Sequence, residues 1–347
     1  MSAFPNELSY SFNGRTSIGC VLESWGIRRG DEVLVPSWVC SSVLEPYRYL
    51  GASVRFYHVS PRSFAIDLND LEANLSSATR VIHVINYFNV LQDWKGLKAI
   101  VPASVRLLED NAYSLLTRQR QFLRLHADAA IYSFRKVLNV PGGGAFYPRG
   151  KDLSAGPLIH SVEIKRLLLP YSRSSYATTM FAIYRFCATV LRRSTSVPDS
   201  EGSEPSFASI KEKGISRVSR RAFKKQWRVY DQLVIDQEKR RVFLLDQLRT
   251  IPKLQFDGSL PGHDESNVVT VYIPDRDATF ARLARDRYPV MVWPDLPLQI
   301  LQHPRADGQE AEIGARTMQI FIDPRVRLEV YEQLARELGK VVEANRG

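Results

Sequence analysis

Two hydrophobic rhythms alternate along the first 150 residues. From Gly14-Arg15-Thr16 onward, apolar side chains recur at Ile18, Val21, Leu22 and Trp25, the spacing of one helical face, and Gly26 closes the segment. Gly30-Asp31-Glu32 then turns the chain into Val33-Leu34-Val35, a short apolar run stopped by Pro36. Further short apolar runs predict strands at Val54 to Val59, Arg80 to Tyr87, Val105 to Glu109, Ala129 to Phe134 and Gly144 to Tyr147. Helix-length amphipathic segments separate several of them. Strands alternating with helices predict crossover units, hence an α/β fold with a mostly parallel sheet covered on both faces.

Beyond Gly150 the pattern changes to long basic amphipathic segments, which read as helices packed outside the sheet. Ser194 to Ser209, rich in Ser, Pro and Glu, reads as a mobile loop. Ala222 to Arg249 reads as one long helix turning Phe223, Trp227, Tyr230, Val234 and Leu244 toward a core. It would connect a large unit, residues 1–249, to a smaller α+β unit, residues 250–347. In the smaller unit, strands are expected at Asn267 to Tyr272 and Met318 to Ile322, with a closing helix from Val326 to Glu343.

Composition narrows the function classes. The 347 residues carry a formal net charge of +10, and no apolar run approaches the ~20 residues of a bilayer span. Met1 to Tyr10 lacks the basic start, apolar stretch and cleavage site of an export signal, so a cytoplasmic protein is expected. The three cysteines, Cys20, Cys40 and Cys187, have no paired spacing, which argues against a disulfide framework or a structural zinc site. Much of the positive excess lies in Ile164 to Arg193 and Lys211 to Arg241; it reads as solvated helix faces and not as a nucleic-acid surface, while an anionic small substrate stays compatible. His58, His83, His126, His160, His263 and His303 are scattered without metal-ligand spacing and read as structural or exposed, so no metal is expected. Trp293 to Pro297 reads either as a border of a ligand cleft or as an aromatic packed in a proline turn.

Three segments place reactive or anion-binding groups at strand ends or helix starts, where parallel α/β sheets bind ligands. Gly14-Arg15-Thr16-Ser17 could hold a phosphate on free N–H groups, though alone it reads first as an ordinary N-cap. Leu107-Leu108-Glu109-Asp110-Asn111-Ala112 is an apolar strand ending in two carboxylates, able to serve as base, metal ligand, partner of a protonated ring nitrogen or plain helix cap. Ser133-Phe134-Arg135-Lys136, followed by Pro141-Gly142-Gly143-Gly144, offers either a desolvated nucleophilic lysine beside Arg135 with close backbone approach, or a solvated loop lysine.

Taken in order, Gly14-Arg15-Thr16, Gly30 to Ser37, Gly51-Ala52, Glu109-Asp110-Asn111-Ala112 and Ser133-Phe134-Arg135-Lys136 with Gly143-Gly144 resemble the DegT/DnrJ/EryC1/StrS family. These are sugar aminotransferases with pyridoxal 5'-phosphate as cofactor and the fold-type-I architecture, a large domain with a smaller C-terminal α+β domain. The resemblance implies that Lys136 forms the internal aldimine and that Asp110 binds the pyridine nitrogen, keeping the ring an electron sink. Arg15, Thr16 and Ser133 would hold the cofactor phosphate, and Tyr113 stands where the family commonly has a glutamine near the ring's phenolic oxygen. The stacking residue falls on Cys40 by counting from Pro36, whereas Trp38 is the aromatic at hand, so one of the two would cover the ring.

The implied reaction transfers an amino group from an amino acid, glutamate in the first instance, to a nucleotide-linked keto-sugar by way of Lys136, in a homodimer with no nucleic-acid or membrane partner. The alternatives are another reaction on the same cofactor, dehydration or amino-acid chemistry, and a cofactor-binding regulator without turnover. Four departures from the family pattern stand out, the first being that the segment between the Ser133-Phe134 pair and Lys136 is shorter than in many relatives. Gly142 occupies the place of an acidic residue before the paired glycines. Asn86-Tyr87-Phe88-Asn89 occupies a stretch where a glycine often follows the aromatic. No clear counterpart of the family's partner-reaching Asn segment occurs in Ile159 to Arg193.

Overall fold

The computed structural model describes residues 4–60, 62–148, 150, 153, 156–161, 163, 205–257, 264–292, 296–302 and 316–344. Within them, strands β1 (Ser9–Ser11), β2 (Glu32–Pro36), β3 (Ser53–Tyr57), β4 (Thr79–Ile85), β5 (Arg106–Asn111), β6 (Ala129–Ser133) and β7 (Gly144–Tyr147) form one sheet in the order β1-β7-β6-β5-β4-β2-β3. The five strands from β3 to β6 run parallel, and β7 and β1 close one edge antiparallel. Val33, Leu34 and Val35 of β2 and Ala130 and Ile131 of β6 are fully buried, as expected where both faces of the sheet are covered.

The helix Gly14–Ser24 begins where the sequence predicts, with Asn13 as its cap: the Thr16 N–H donates to Asn13 Oδ1 at 3.0 Å. It ends at Trp25, and Gly26 follows with φ +69°. The helix start is pressed against β7. A Cβ on Gly144 would lie 2.5 Å from the carbonyl carbon of Asn13, so only glycine lets the two backbones approach this closely. Gly143, at φ +95°, donates its N–H to Phe12 O and accepts from Phe134 N, tying the glycine run to both flanking segments.

A second sheet, all antiparallel, has the order β10-β11-β9-β8, from β8 (Gln255–Asp257), β9 (Val268–Tyr272), β10 (Val290–Met291) and β11 (Thr317–Phe321). The closing helix Leu328–Ala344 packs Val330, Tyr331, Leu334 and Leu338 onto it. The long helix expected over Ala222 to Arg249 is two helices, Arg217–Trp227 and Tyr230–Arg249, broken at the exposed Val229. Tertiary contacts explain the break: the Tyr230 hydroxyl donates to Leu115 O at 2.8 Å and accepts from Thr117 N at 3.1 Å, and its ring packs on Trp227. Tyr230 and Val234 join a core beside the large sheet, whereas Leu244, Leu245 and Leu248 join the core of the second sheet.

The strands β1, β8 and β10 escape sequence reading because two or three residues are too few to show a period. The end of the expected loop at Ser194 to Ser209 is helical over Phe207–Ile210, because Phe207 inserts against Gly19, where any Cβ would meet its ring at 2.3 Å. Residues 194–204, the basic segment Ile164 to Arg193, Cys187, His263, His303 and Trp293 to Asp295 lie outside the described residues.

Two glycines should respond oppositely to alanine. Gly144→Ala sets a methyl against backbone and is expected to lower stability by about 1–3 kcal/mol or more, whereas Gly339→Ala, in open space inside the closing helix, should raise it by about 0.5–1 kcal/mol. Denaturant unfolding of both variants against the parent checks the pair.

Candidate active site

The carboxyl ends of β5 and β6 are neighbours, because Asp110 pairs in register with Ile131 and Asn111 with Tyr132. Asp110 therefore emerges beside Ser133, the last residue of β6. The chain then makes the short helical turn Phe134–Val137, which carries Lys136. Phe134 anchors that turn by stacking on Phe223 with ring centroids 4.0 Å apart. Lys136 Nζ projects from it to 4.0 Å from the centroid of the Tyr113 ring.

Asp110 is 2% exposed and accepts two hydrogen bonds. Its Oδ1 takes the Ala112 N–H at 2.7 Å, and its Oδ2 lies 3.0 Å from His83 Nε2. On the other side of the imidazole, His83 Nδ1 is 2.5 Å from the Tyr47 hydroxyl. The Tyr57 hydroxyl donates to the His83 carbonyl at 2.8 Å, and that of Tyr87 to the Trp38 carbonyl at 2.8 Å. Burial pushes the phenols of Tyr47, Tyr57 and Tyr87 well above the ordinary tyrosine value; the Asp110 charge adds to this at Tyr47 and Tyr87. The neighbouring Glu109 is held on the far side of β5 by Asn86, Asn111 and His126, so the two carboxylates serve separate networks.

Gly14 is the other neighbour of Ser133: a Cβ there would contact Ser133 Cβ at 3.5 Å. A helix start and a strand-end hydroxyl thus converge beside the lysine turn. The Arg15 guanidinium is committed elsewhere, to Glu45 at 2.6 Å and Pro205 O at 3.2 Å. The Thr16 hydroxyl donates within 3.2 Å of Asn13 Oδ1 and Ile210 O. With the Thr16 N–H also taken by Asn13 Oδ1, what this helix start offers an anion is the backbone of Gly14 and Arg15. Trp38 is fully buried in the core of the large sheet, while Cys40 is partly exposed after β2.

The departures read in the sequence have physical counterparts. Phe88 adopts the left-handed backbone that glycine takes freely, with φ 51° and ψ 42°, and Asn89 follows at φ 71°. The Phe88 ring is buried between Phe64 and Tyr113, and Asn89 pins the bend by donating to Leu116 O and Glu265 O. At Gly142 a Cβ would meet Glu163 Oε1 at 2.3 Å, so a carboxylate from elsewhere in the chain stands against the position where the family has its own acid. Two cavities among the described residues, about 160 Å³ between the helices Tyr230–Arg249 and Leu328–Ala344 and about 20 Å³ beside Arg241, are not lined by Lys136 or Asp110. Among the described residues no group of His, Cys, Asp and Glu has a metal-holding arrangement.

His83 and Tyr47 are the residues that sequence reading missed. His83 shares a sheet face with Ile85, which pairs with Asp110, and that proximity exists only once β4 and β5 are in register.

Residues 11–154 match the model of the DegT/DnrJ/EryC1/StrS aminotransferase family. The chain is 30% identical over 148 residues to L-glutamine:2-deoxy-scyllo-inosose aminotransferase of Streptomyces lividus, covering 41% of this chain and 34% of that enzyme. It is 30% identical over 92 residues to GDP-4-keto-6-deoxy-D-mannose 3-dehydratase of Yersinia pseudotuberculosis, covering 26% of this chain and 23% of that enzyme. The match thus spans about a third or less of these curated relatives. Over nearly its whole length, 98%, the chain superposes on 87% of the solved aminotransferase TlmJ from Streptoalloteichus hindustanus, with a TM-score of 0.67 at 16% identity. The chain therefore shares the fold of that solved aminotransferase.

Phe88→Gly removes a left-handed strain of roughly 1–2 kcal/mol but empties a buried aromatic site, which costs about 3–5 kcal/mol. A net loss of stability is expected in thermal unfolding. The buried phenols give a second expectation. Their raised values mean that their contribution is complete below the unfolded tyrosine value of about 10 and is lost as pH rises above it. Alkaline titration should show phenolate absorbance from Tyr47, Tyr57 and Tyr87 emerging together with loss of the far-UV dichroism, not before it.

Proposed function

We propose that this chain, whose residues 11–154 belong to the DegT/DnrJ/EryC1/StrS aminotransferase family, is a pyridoxal-phosphate-dependent aminotransferase acting on a keto-sugar or a related keto-cyclitol. The observation that carries the reading is the convergence of Lys136, Asp110 and the Gly14–Ser133 corner at one edge of the sheet. An amine, a buried acceptor carboxylate and a helix start form the donor set that this cofactor requires. When bound, pyridoxal phosphate supplies an aldehyde that takes up the amino group and a ring that accepts the electron pair of the substrate carbon.

In this reading Lys136 Nζ, on the turn after β6, would be the amine that holds the cofactor's aldehyde group. The same amine would serve as the group that moves a proton at the substrate carbon. Asp110 accepts from the protonated ring nitrogen. The backbone at Gly14 and Arg15, with Ser133 Oγ, receives the phosphate, while Thr16 secures the helix start through Ile210. Tyr113 borders the amine and offers its hydroxyl to the ring oxygen. Cys40 would cover the ring face, since Trp38 is fully buried in the core.

The S. lividus relative is named for L-glutamine as donor, so glutamate and glutamine are the donors of first choice. A homodimer in the cytoplasm completes the reading; no helix among the described residues is long and apolar enough to cross a membrane. The dehydratase relative supports a second reading, in which the same residues remove water from a keto-sugar.

The test is reconstitution with pyridoxal phosphate followed by L-glutamate or L-glutamine. The visible band of the bound cofactor should give way to that of its aminated form, and a nucleotide-linked keto-sugar should restore it. Lys136→Ala should lose covalent retention of the cofactor and all turnover. Loss of water without amination of the sugar would select the dehydratase reading, and an active Lys136→Ala variant with an unchanged spectrum would remove both.

A further inference from the structure

We propose that Tyr47 and His83 are positioning residues for Asp110: a buried hydrogen-bond chain, donating from Tyr47 to His83 to Asp110, fixes the carboxylate as an acceptor for the ring nitrogen of the cofactor. The inference rests on the functional reading above and extends it to residues that touch neither cofactor nor substrate.

Three separate elements supply the chain. Tyr47 belongs to the helix Glu45–Leu50, His83 to β4 and Asp110 to β5. All three are 0–2% exposed, and the contacts are 2.5 Å and 3.0 Å. The direction of donation follows from counting protons. Burial keeps the Tyr47 phenol in its neutral form, so its one proton needs an acceptor, and His83 Nδ1 is the partner in reach. An imidazole that accepts at Nδ1 carries its proton on Nε2, which then donates to Asp110 Oδ2. An imidazolium, or an imidazole protonated at Nδ1, would leave the buried phenolic proton facing another donor.

The remaining contacts fit that direction. The Ala112 N–H occupies Oδ1, so each carboxylate oxygen has one donor fixed by the protein and the plane of the carboxylate is set. Tyr57 holds the His83 backbone through its carbonyl, so the imidazole cannot withdraw along the strand. With one neutral donor on each oxygen, the Asp110 carboxylate is presented as an acceptor. A ring nitrogen bound to it must therefore be the donor, which is the form that draws electrons.

The test begins with apoprotein labelled with 15N at histidine. Long-range proton–nitrogen spectra should show His83 neutral with its proton on Nε2, and Tyr47→Phe should shift that signal. His83→Leu should weaken pyridoxal phosphate binding about tenfold or more, the scale lost when the partner orienting a functional group is removed. His83→Gln, which keeps a donor near the Nε2 position, should recover most of it at the same Tm as His83→Leu. A wild-type His83 protonated on Nδ1 or on both nitrogens overturns the proposal, as does a folded His83→Leu variant that binds the cofactor as tightly as the parent. Wild-type protein that binds no pyridoxal phosphate overturns the functional reading itself, and the positioning role with it, before any variant is made.

Discussion

Parallel pairing of β4, β5 and β6 is the constraint on which the site depends. Because the strands are buried on both faces, a slip in register would draw the polar strand ends into the apolar layer, and so the ends of β5 and β6 are held level. Asp110, Ser133 and the turn bearing Lys136 are consequences of that level edge. The antiparallel β7 returns along β6 and presents Gly144 to the start of the helix Gly14–Ser24, bringing a fourth element to the same corner.

Electrostatics then separates two carboxylates that are adjacent in the chain. Alternation along β5 sends Glu109 and Asp110 to opposite faces. Glu109 meets amide and imidazole donors and is consumed by structure. Asp110 meets one backbone N–H and one imidazole and keeps acceptor capacity. Position within a β-strand thus assigns the two roles more strictly than the chemistry of the side chains.

Much of this was legible before any coordinates. Short apolar runs punctuated by Gly, Pro and Asp located most strands of the large sheet to within one or two residues, because continuous burial leaves a continuous apolar signature. Strand-end Asp110, post-strand Lys136 and the Gly14 helix start were readable because each follows an apolar run. The break at Val229 was not, since the contacts that cause it, from Tyr230 to Leu115 and Thr117, span more than a hundred residues. Arg15 and Thr16 were placed correctly at a helix start, but their side-chain partners Glu45, Pro205 and Ile210 lie 30, 190 and 194 residues away.

Sequence alone determined the class of fold and the chemical types at its edge, because periodicity and turn residues act locally. Only tertiary structure decided what surrounds those groups. His83 is one scattered histidine among six until strand register sets it against Asp110, and Tyr47 is an ordinary helix residue until the sheet brings it to the imidazole. Phe88 holds a glycine's backbone only because Phe64, Tyr113 and the Asn89 hydrogen bonds compensate the strain. Hydrogen bonds and packing act through space, and the distances along the chain that they bridge leave no mark on neighbouring residues.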